Sequence, residues 1–210
     1  MIKISLKGLA KYMTASPVGQ RKVLRDFKYP DPEGFAQAGY YREVRDAVEA
    51  HHRRRSSAEA LHEATQRLQS LAALMPGRAA ARLRHNARAI AQYAEHFAGR
   101  DWEVQPGQKL ALFHGDVKVT VVPDLVVIER GHQLLVRLEF SQDEPNQQII
   151  RILGQGMFEA AQQAALGVRS SHVLILDVPR GGSHRARTGS RIAREIEAAC
   201  RNISAVWPGI

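Results

Sequence analysis

The chain has 210 residues, of which 44% are hydrophobic, and a formal net charge of +9. No apolar run approaches the roughly 18 residues that a membrane-spanning helix needs, so no membrane partner is expected. Cys200 is the single cysteine, which excludes an internal disulfide and a cysteine-based zinc site. We therefore expect a soluble, cytoplasmic protein without an export signal.

The positive charge is unevenly distributed along the chain. Residues 1–100 contain 18 Lys and Arg against 9 Asp and Glu, whereas residues 101–210 contain 12 of each kind. A basic half beside a neutral half indicates a polyanionic partner, most often a nucleic acid. The alternative is that the basic surface serves only solubility.

The sequence begins with signals for two short helices and a loop. Ser5 and Ser16 are suited to cap these helices, and Pro17 occupies the first position of the second one. Residues 29–34 contain two prolines and a glycine, which are incompatible with a regular helix. From Phe35 the apolar spacing predicts an amphipathic helix that runs into a stretch of five histidines and arginines.

Two further helices are predicted before residue 100. The first begins at Ser56 and Ser57 and is stopped by Pro76 and Gly77, and the second covers about 78–98. Because only a tight turn separates them, we expect an antiparallel helical hairpin. The sequence therefore predicts an all-helical N-terminal half, a basic region spanning residues 1–100.

After residue 100 the apolar pattern changes from a helical to an alternating period. Five strands joined by short turns are predicted first, followed by a long helix, a strand buried on both faces and a polar loop. This order predicts an α/β region over residues 101–210. The predicted strands are 102–104, 110–114, 117–122, 125–128, 134–140 and 172–178; the helices are about 146–166 and 190–200; the loop is 180–189, and 203–206 is a final short strand.

Residues 122–141 form the most informative stretch, two apolar strands joined by a tight turn. If Gly131 and His132 make the loop, Asp124 faces Glu139 across the hairpin. Like charges at facing positions destabilise a sheet, and a divalent cation bound by both carboxylates would remove that cost. In the alternative interpretation, Asp124 lies just outside the ladder and Glu139 points to water.

The order of these elements resembles the PD-(D/E)XK nuclease superfamily over about residues 108–180. The matching residues are Pro123 and Asp124, Glu139 in the segment LEFS, and Gln155 on the long helix, as in the exonuclease-like branch. The resemblance implies a restriction-endonuclease-like mixed sheet with flanking helices. It also implies hydrolysis of phosphodiester bonds with Mg²⁺ or Mn²⁺. The lysine of the family motif is replaced by Ser141.

The resemblance assigns roles to individual side chains. Asp124 and Glu139 would bind the metal, with Glu43 as a third ligand and Asp46 as the second choice. Gln155 would orient a water or a base in catalysis. Positive charge in place of the missing lysine would come from Arg137 or Lys118, although an arginine remains protonated and cannot act as a base.

Arginine-rich segments are expected to contact the nucleic acid, DNA in preference to RNA. Partner proteins or a homo-oligomer are also expected. Because the motif lysine is absent, a second hypothesis is a catalytically degenerate protein that binds nucleic acid or scaffolds partner proteins, and a third is a protein-interaction adaptor. The arginines expected at the phosphate backbone are Arg53, Arg54, Arg55, Arg180, Arg185 and Arg187.

Overall fold

The computed structural model describes residues 1–30, 39–55 and 57–210, which contain eight strands and seven α-helices. The predicted start of the third helix at Phe35, and Ser56, lie outside the described residues. The helices are α1 (Leu6–Thr14), α2 (Pro17–Lys28), α3 (Arg42–Arg54), α4 (Ala58–Leu74), α5 (Gly77–Phe97), α6 (Gln147–Gln163) and α7 (Ser190–Val206). The strands are β1 (Ile2–Ser5), β2 (Glu103–Gln105), β3 (Leu110–His114), β4 (Val117–Val121), β5 (Leu125–Glu129), β6 (His132–Glu139), β7 (Val173–Asp177) and β8 (Gly182–Arg185).

The strands form two mixed sheets. One has three strands in the order β1-β4-β3, and the other has five in the order β2-β5-β6-β7-β8. In the larger sheet, β5 and β6 form an antiparallel hairpin, and α6 connects β6 to its parallel neighbour β7. The mixed α/β class predicted from the sequence is confirmed. None of the helices in the described ranges is both long and apolar enough to cross a membrane.

Three sequence-based predictions of secondary structure are wrong. The first half is not entirely helical, because Ile2–Ser5 forms β1, whose alternating Ile2 and Ile4 are buried. Residues 182–185 of the predicted polar loop form β8, which gains its backbone partners from β7 despite its polar side chains. Residues 203–206 extend α7, since Ile203 continues the buried stripe of Ile196 and Cys200 at helical spacing.

The two faces of the larger sheet bury separate hydrophobic clusters. One cluster lies against α1, α6, α7 and the smaller sheet, and the other lies against α3, α4 and α5. Alternation along the strands produces this division, as Leu135 belongs to the first cluster while Leu134 and Val136 belong to the second. Residues from 1–100 and from 101–210 contribute to both clusters.

The turn between β5 and β6 corrects the predicted register of the hairpin. Its loop residues are Arg130 and Gly131, with φ of 51° and 77°, rather than Gly131 and His132. Two left-handed residues make the turn that matches the twist of a hairpin. Leu125 consequently faces Val136, and Asp124 lies just outside the ladder, where the same register places it opposite Arg137 and not opposite Glu139. The facing pair thus carries opposite charges, and the repulsion that suggested a metal is absent from it.

The buried His52 on α3 predicts a pH-dependent stability. Its ring nitrogen lies 2.7 Å from the Tyr93 hydroxyl, and burial, followed by His51 and Arg100, lowers the pKa of His52 to about 4. In the unfolded chain the imidazole has a pKa near 6.5. Between about pH 4 and pH 6.5, His52 is therefore protonated in the unfolded chain but neutral in the folded one. Stability from this group is therefore complete above about pH 6.5 and declines as the pH falls towards 4.

Urea denaturation at pH 7.5 and pH 5.0 tests this expectation. The midpoint should be lower at pH 5.0, and His52→Gln should reduce the difference between the two pH values. The exposed His62 on α4 provides the control, since His62→Gln should leave the difference unchanged. An unaltered pH dependence in His52→Gln would contradict the assignment.

Candidate functional site

The predicted acidic residues Asp124 and Glu139 lie at the same end of the larger sheet. Asp124 precedes β5, and its backbone N–H donates to the Val136 carbonyl at 2.8 Å. Its carboxylate is 4% exposed and accepts hydrogen bonds from Arg45 of α3 and from the Leu138 backbone N–H, the latter at 2.8 Å. Both oxygens of Asp124 therefore already have donors.

Arg137 on β6 connects the two carboxylates. Its Nε lies 3.5 Å from Asp124 Oδ2 and 3.1 Å from Glu139 Oε1. The other oxygen of Glu139 lies 3.1 Å from Lys7 Nζ on α1. We refer to Lys7, Arg45, Asp124, Arg137 and Glu139 as the carboxylate cluster. Its three cations and two carboxylates give a formal charge of +1.

The electrostatics of the carboxylate cluster favour its ionised form. Burial alone would raise the pKa of Glu139, but Arg137 and Lys7 outweigh burial and hold that pKa below its ordinary value. Burial would likewise lower the pKa of Arg137, but Asp124 and Glu139 raise it above its ordinary value. Mutual pairing thus favours the charged forms of Glu139 and Arg137.

Close packing of α1 on α6 brings Lys7 to Glu139. A Cβ atom added at Gly156 of α6 would overlap Leu6 Cδ1, so glycine lets Leu6 approach this closely. Lys7 follows Leu6 on the same turn of α1. The approach of the two helices is therefore part of what positions the ammonium group beside the carboxylate.

The carboxylate cluster as arranged does not fit a divalent cation. Mg²⁺ requires an excess of oxygen donors with open positions, whereas here the cations outnumber the carboxylates. Within residues 1–30, 39–55 and 57–210, no three His, Cys, Asp or Glu side chains are grouped as metal ligands. The predicted third ligand, Glu43, is paired instead with Arg82 of α5 at 2.8 Å.

Two other predicted catalytic residues have partners away from the carboxylate cluster. Gln155 is buried on α6, where its amide donates to Glu159 at 2.6 Å and its oxygen accepts from the Gly189 N–H at 3.1 Å. Lys118 lies on β4 of the smaller sheet, with its Nζ 5.5 Å from the centre of the Phe113 ring. Of the predicted catalytic residues, the structure brings together Asp124, Glu139 and Arg137.

Sequence reasoning missed three charged residues near this end of the sheet. Lys7 and Arg45 complete the carboxylate cluster, and Asp177 on β7 lies beside Glu139 in the parallel register. Asp177 is paired with Arg180 at 3.1 Å. No local signal identifies Lys7, because its contact with Glu139 spans 132 positions in the sequence. Asp177 could have been identified from its position as a carboxylate near the end of the apolar strand HVLILDV.

At the opposite end of the larger sheet, four arginines and two histidines lie together with Glu129. Glu129, the last residue of β5, lies 3.5 Å from Arg100 and 3.9 Å from Arg185. Beyond it, the rings of two histidines stack with their centres 4.9 Å apart, and the exposed Arg130 lies in the adjoining turn. We define the basic end as Arg100, Arg130, His132, Arg169, His172 and Arg185.

The pKa of His172 reports the positive character of the basic end. Burial lowers this pKa first, and His132, Arg169 and Arg185 lower it further. Each of these three charged neighbours is basic, so their combined field disfavours another positive charge at the imidazole.

The predicted phosphate-binding arginines fall into three groups. Arg53, Arg54 and Arg55 are exposed where α3 ends, next to His52, whose ring lies 5.0 Å from the Trp102 ring that Arg100 also covers. His52 thus places the end of α3 near Arg100, and Arg53 pairs with Glu49 of the same helix. Arg185 itself belongs to the basic end. Arg187 is exposed between β8 and α7, while Arg180 is engaged by Asp177 and by the carbonyls of Ser141 and Gln142.

Comparison with known proteins adds no assignment. No protein-family model matches the chain, and no curated protein is significantly similar to it.

Proposed function

We propose that this chain is a nucleic-acid-binding protein with a nuclease-like core, in which ion pairs take the place of a catalytic metal. The observation that carries the proposal is the engagement of both Asp124 oxygens by Arg45 and the Leu138 N–H, with Arg137 between the two carboxylates. Metal-assisted phosphodiester hydrolysis needs carboxylates that are free to hold a cation and its water. Here the carboxylates are already neutralised by protein cations.

Two features support nucleic acid as the partner. The net charge is +9, and the basic end together with Arg53, Arg54 and Arg55 concentrates arginines at one end of the larger sheet. Arginines bind phosphate groups in a fixed bidentate geometry, and contacts of this kind are independent of base sequence and sensitive to salt. The proposed activity is therefore binding of the phosphate backbone of a nucleic acid without cleavage.

A cleavage and binding assay tests the proposal. Labelled DNA and RNA, single-stranded and duplex, are incubated with the protein with and without Mg²⁺ or Mn²⁺. We expect salt-sensitive binding that needs no metal, and no cleavage beyond that of matched Asp124→Ala and Glu139→Ala preparations. Metal-dependent cleavage by the wild type that both substitutions abolish would overturn the proposal.

The second candidate function is a metal-dependent nuclease of the PD-(D/E)XK type, acting on DNA in processing or defence. One observation favours it: Lys7 Nζ lies 3.1 Å from Glu139, so a lysine is present beside this carboxylate although Ser141 occupies the motif position. Binding of Mg²⁺ would require Arg45 and Arg137 to leave Asp124. Stabilisation of the wild type by Mg²⁺ or Mn²⁺, absent in Asp124→Ala, would favour this candidate.

A further inference from the structure

The smaller sheet has one buried and one solvent-facing side. Alternate residues such as Ile4, Leu112 and Val119 point into the hydrophobic cluster shared with α1, α6 and α7. Their neighbours along the strands form the other side, and each of these is exposed or half-buried. This outer side consists of Lys3, Ser5, Ala111, Phe113, Lys118 and Thr120.

Three of these residues form a row across all three strands. Lys3 on β1 is in register with Lys118 on β4, and Lys118 is in register with Phe113 on β3. The Phe113 side chain is 48% exposed, and Lys118 Nζ lies 5.5 Å from the centre of its ring. We call Lys3, Lys118 and Phe113 the stacking row.

The two lysines of the stacking row lie in register on parallel strands. Neither forms an ion pair with any described residue. An edge lysine protects a sheet from aggregation, which accounts for Lys3 on β1. It does not account for Lys118, because β4 is the central strand.

The main chain under the Phe113 ring is held firmly. The Gln163 side chain on α6 accepts a hydrogen bond from the Phe113 N–H at 2.9 Å and donates one to its carbonyl at 3.3 Å. The Gln163 amide thus satisfies the backbone N–H and carbonyl that Phe113 presents at the unpaired edge of β3. The ring is presented to solvent from a fixed backbone.

We propose that the stacking row binds single-stranded nucleic acid, with one base stacked on Phe113 and the flanking phosphates paired with Lys118 and Lys3. An aromatic ring beside cations on an open surface suits an unpaired base and its backbone, whereas the bases of a duplex are enclosed by their neighbours. When a base stacks on the Phe113 ring, it takes the place of the Lys118 ammonium group, which then pairs with a phosphate. The inference rests on the proposed function for its class of partner, but it uses a surface distinct from the basic end.

Fluorescence anisotropy without metal tests the inference. The probes are labelled oligothymidylate and oligouridylate, each about 20 nucleotides long, with an abasic strand and a duplex of the same length. Phe113→Ala should weaken binding of the two base-containing single strands roughly 5- to 100-fold, the effect of losing one base–aromatic stack. Binding of the abasic strand and the duplex should not change, and Phe113→Trp should retain affinity for all probes.

Two controls separate stacking from charge and from surface apolarity. Lys3→Gln combined with Lys118→Gln should weaken every single strand, including the abasic one. Val18→Ala removes an exposed apolar side chain on α2 and should alter nothing. Undiminished binding of oligothymidylate by Phe113→Ala would overturn the inference. If substitutions at the basic end still weaken that binding, the proposed function would stand. No binding of any probe by the wild type would overturn the proposed function as well.

Discussion

Asp124→Ala is expected to lower the free energy of unfolding by about 3–5 kcal/mol, the cost of removing one partner from a buried ion pair. The substitution leaves Arg45 without its carboxylate and removes one of the two carboxylates that pair with Arg137. The side chains of Arg45 and Arg137 are only 29% and 18% exposed, so solvent replaces the lost pairing incompletely. Chemical denaturation of the wild type and the variant, without metal, measures the difference.

Asp46→Ala is the matched control for this experiment. Asp46 lies on α3, but its carboxylate is 67% exposed and its partner Arg42 is 3.6 Å away. An exposed pair of this kind contributes less than about 1 kcal/mol. If Asp124 instead belonged to a metal site crowded with carboxylates, its removal would relieve repulsion in the metal-free protein. Unchanged or increased stability of Asp124→Ala would therefore argue against the carboxylate cluster.

The second large effect is expected at the basic end. Arg130 and Arg169 are both exposed, and replacing both with glutamine removes two charges from the proposed phosphate contacts. The slope of log affinity against log salt concentration should become shallower by about 2, since each lost phosphate contact reduces it by about 1. Titration of labelled DNA over a range of salt concentrations measures this slope.

Arg191→Gln combined with Arg201→Gln removes the same charge elsewhere. These arginines lie on α7 and pair with Glu195 and Glu197 at 2.9 and 2.6 Å. The salt slope of this control variant should match that of the wild type. Equal slopes in both double variants and the wild type would exclude the basic end from binding, whereas equal reductions would indicate a response to net charge alone.

Local signals in the sequence were sufficient for most of the helices. Ser5 and Ser16 accept hydrogen bonds from the N–H groups of Gly8 and Gly19, as expected of helix caps. The hairpin of α4 and α5 also agrees with the apolar period and the turn at Pro76. These features depend on neighbours within a few positions, which is why the sequence alone predicts them.

The register of the β5–β6 hairpin is harder to predict from the sequence than the helices are. Glycine at 131 correctly marked the turn, but Arg130 also adopts a left-handed conformation, which non-glycine residues adopt infrequently. A loop placed one residue too late changes the residue that faces Asp124 from Arg137 to Glu139 in the predicted ladder. A single turn residue thus changed an attractive facing pair into a repulsive one.

The location of the carboxylates was predictable, but their partners were not. The strand pattern placed Asp124 and Glu139 at the ends of two adjacent strands, where the structure has them. Arg45 and Lys7 reach them from helices 79 and 132 positions away, and nothing in the local sequence of either residue signals that contact. Long-range packing therefore decides whether this site is acidic or neutralised.

Pairing of β1 with β4 also constrains the order in which the chain folds. Ile2 is in register with Val117, so the first strand has no partner until residues more than a hundred positions later have been synthesised. Contacts between such distant segments form slowly because a long loop must close first. During synthesis, the apolar side chains of Ile2, Ile4 and Leu6 remain exposed on an unpaired strand and its adjoining helix. Docking of this segment is therefore expected to be a late folding step, and the interval before it is when the nascent chain is most open to aggregation or chaperone binding.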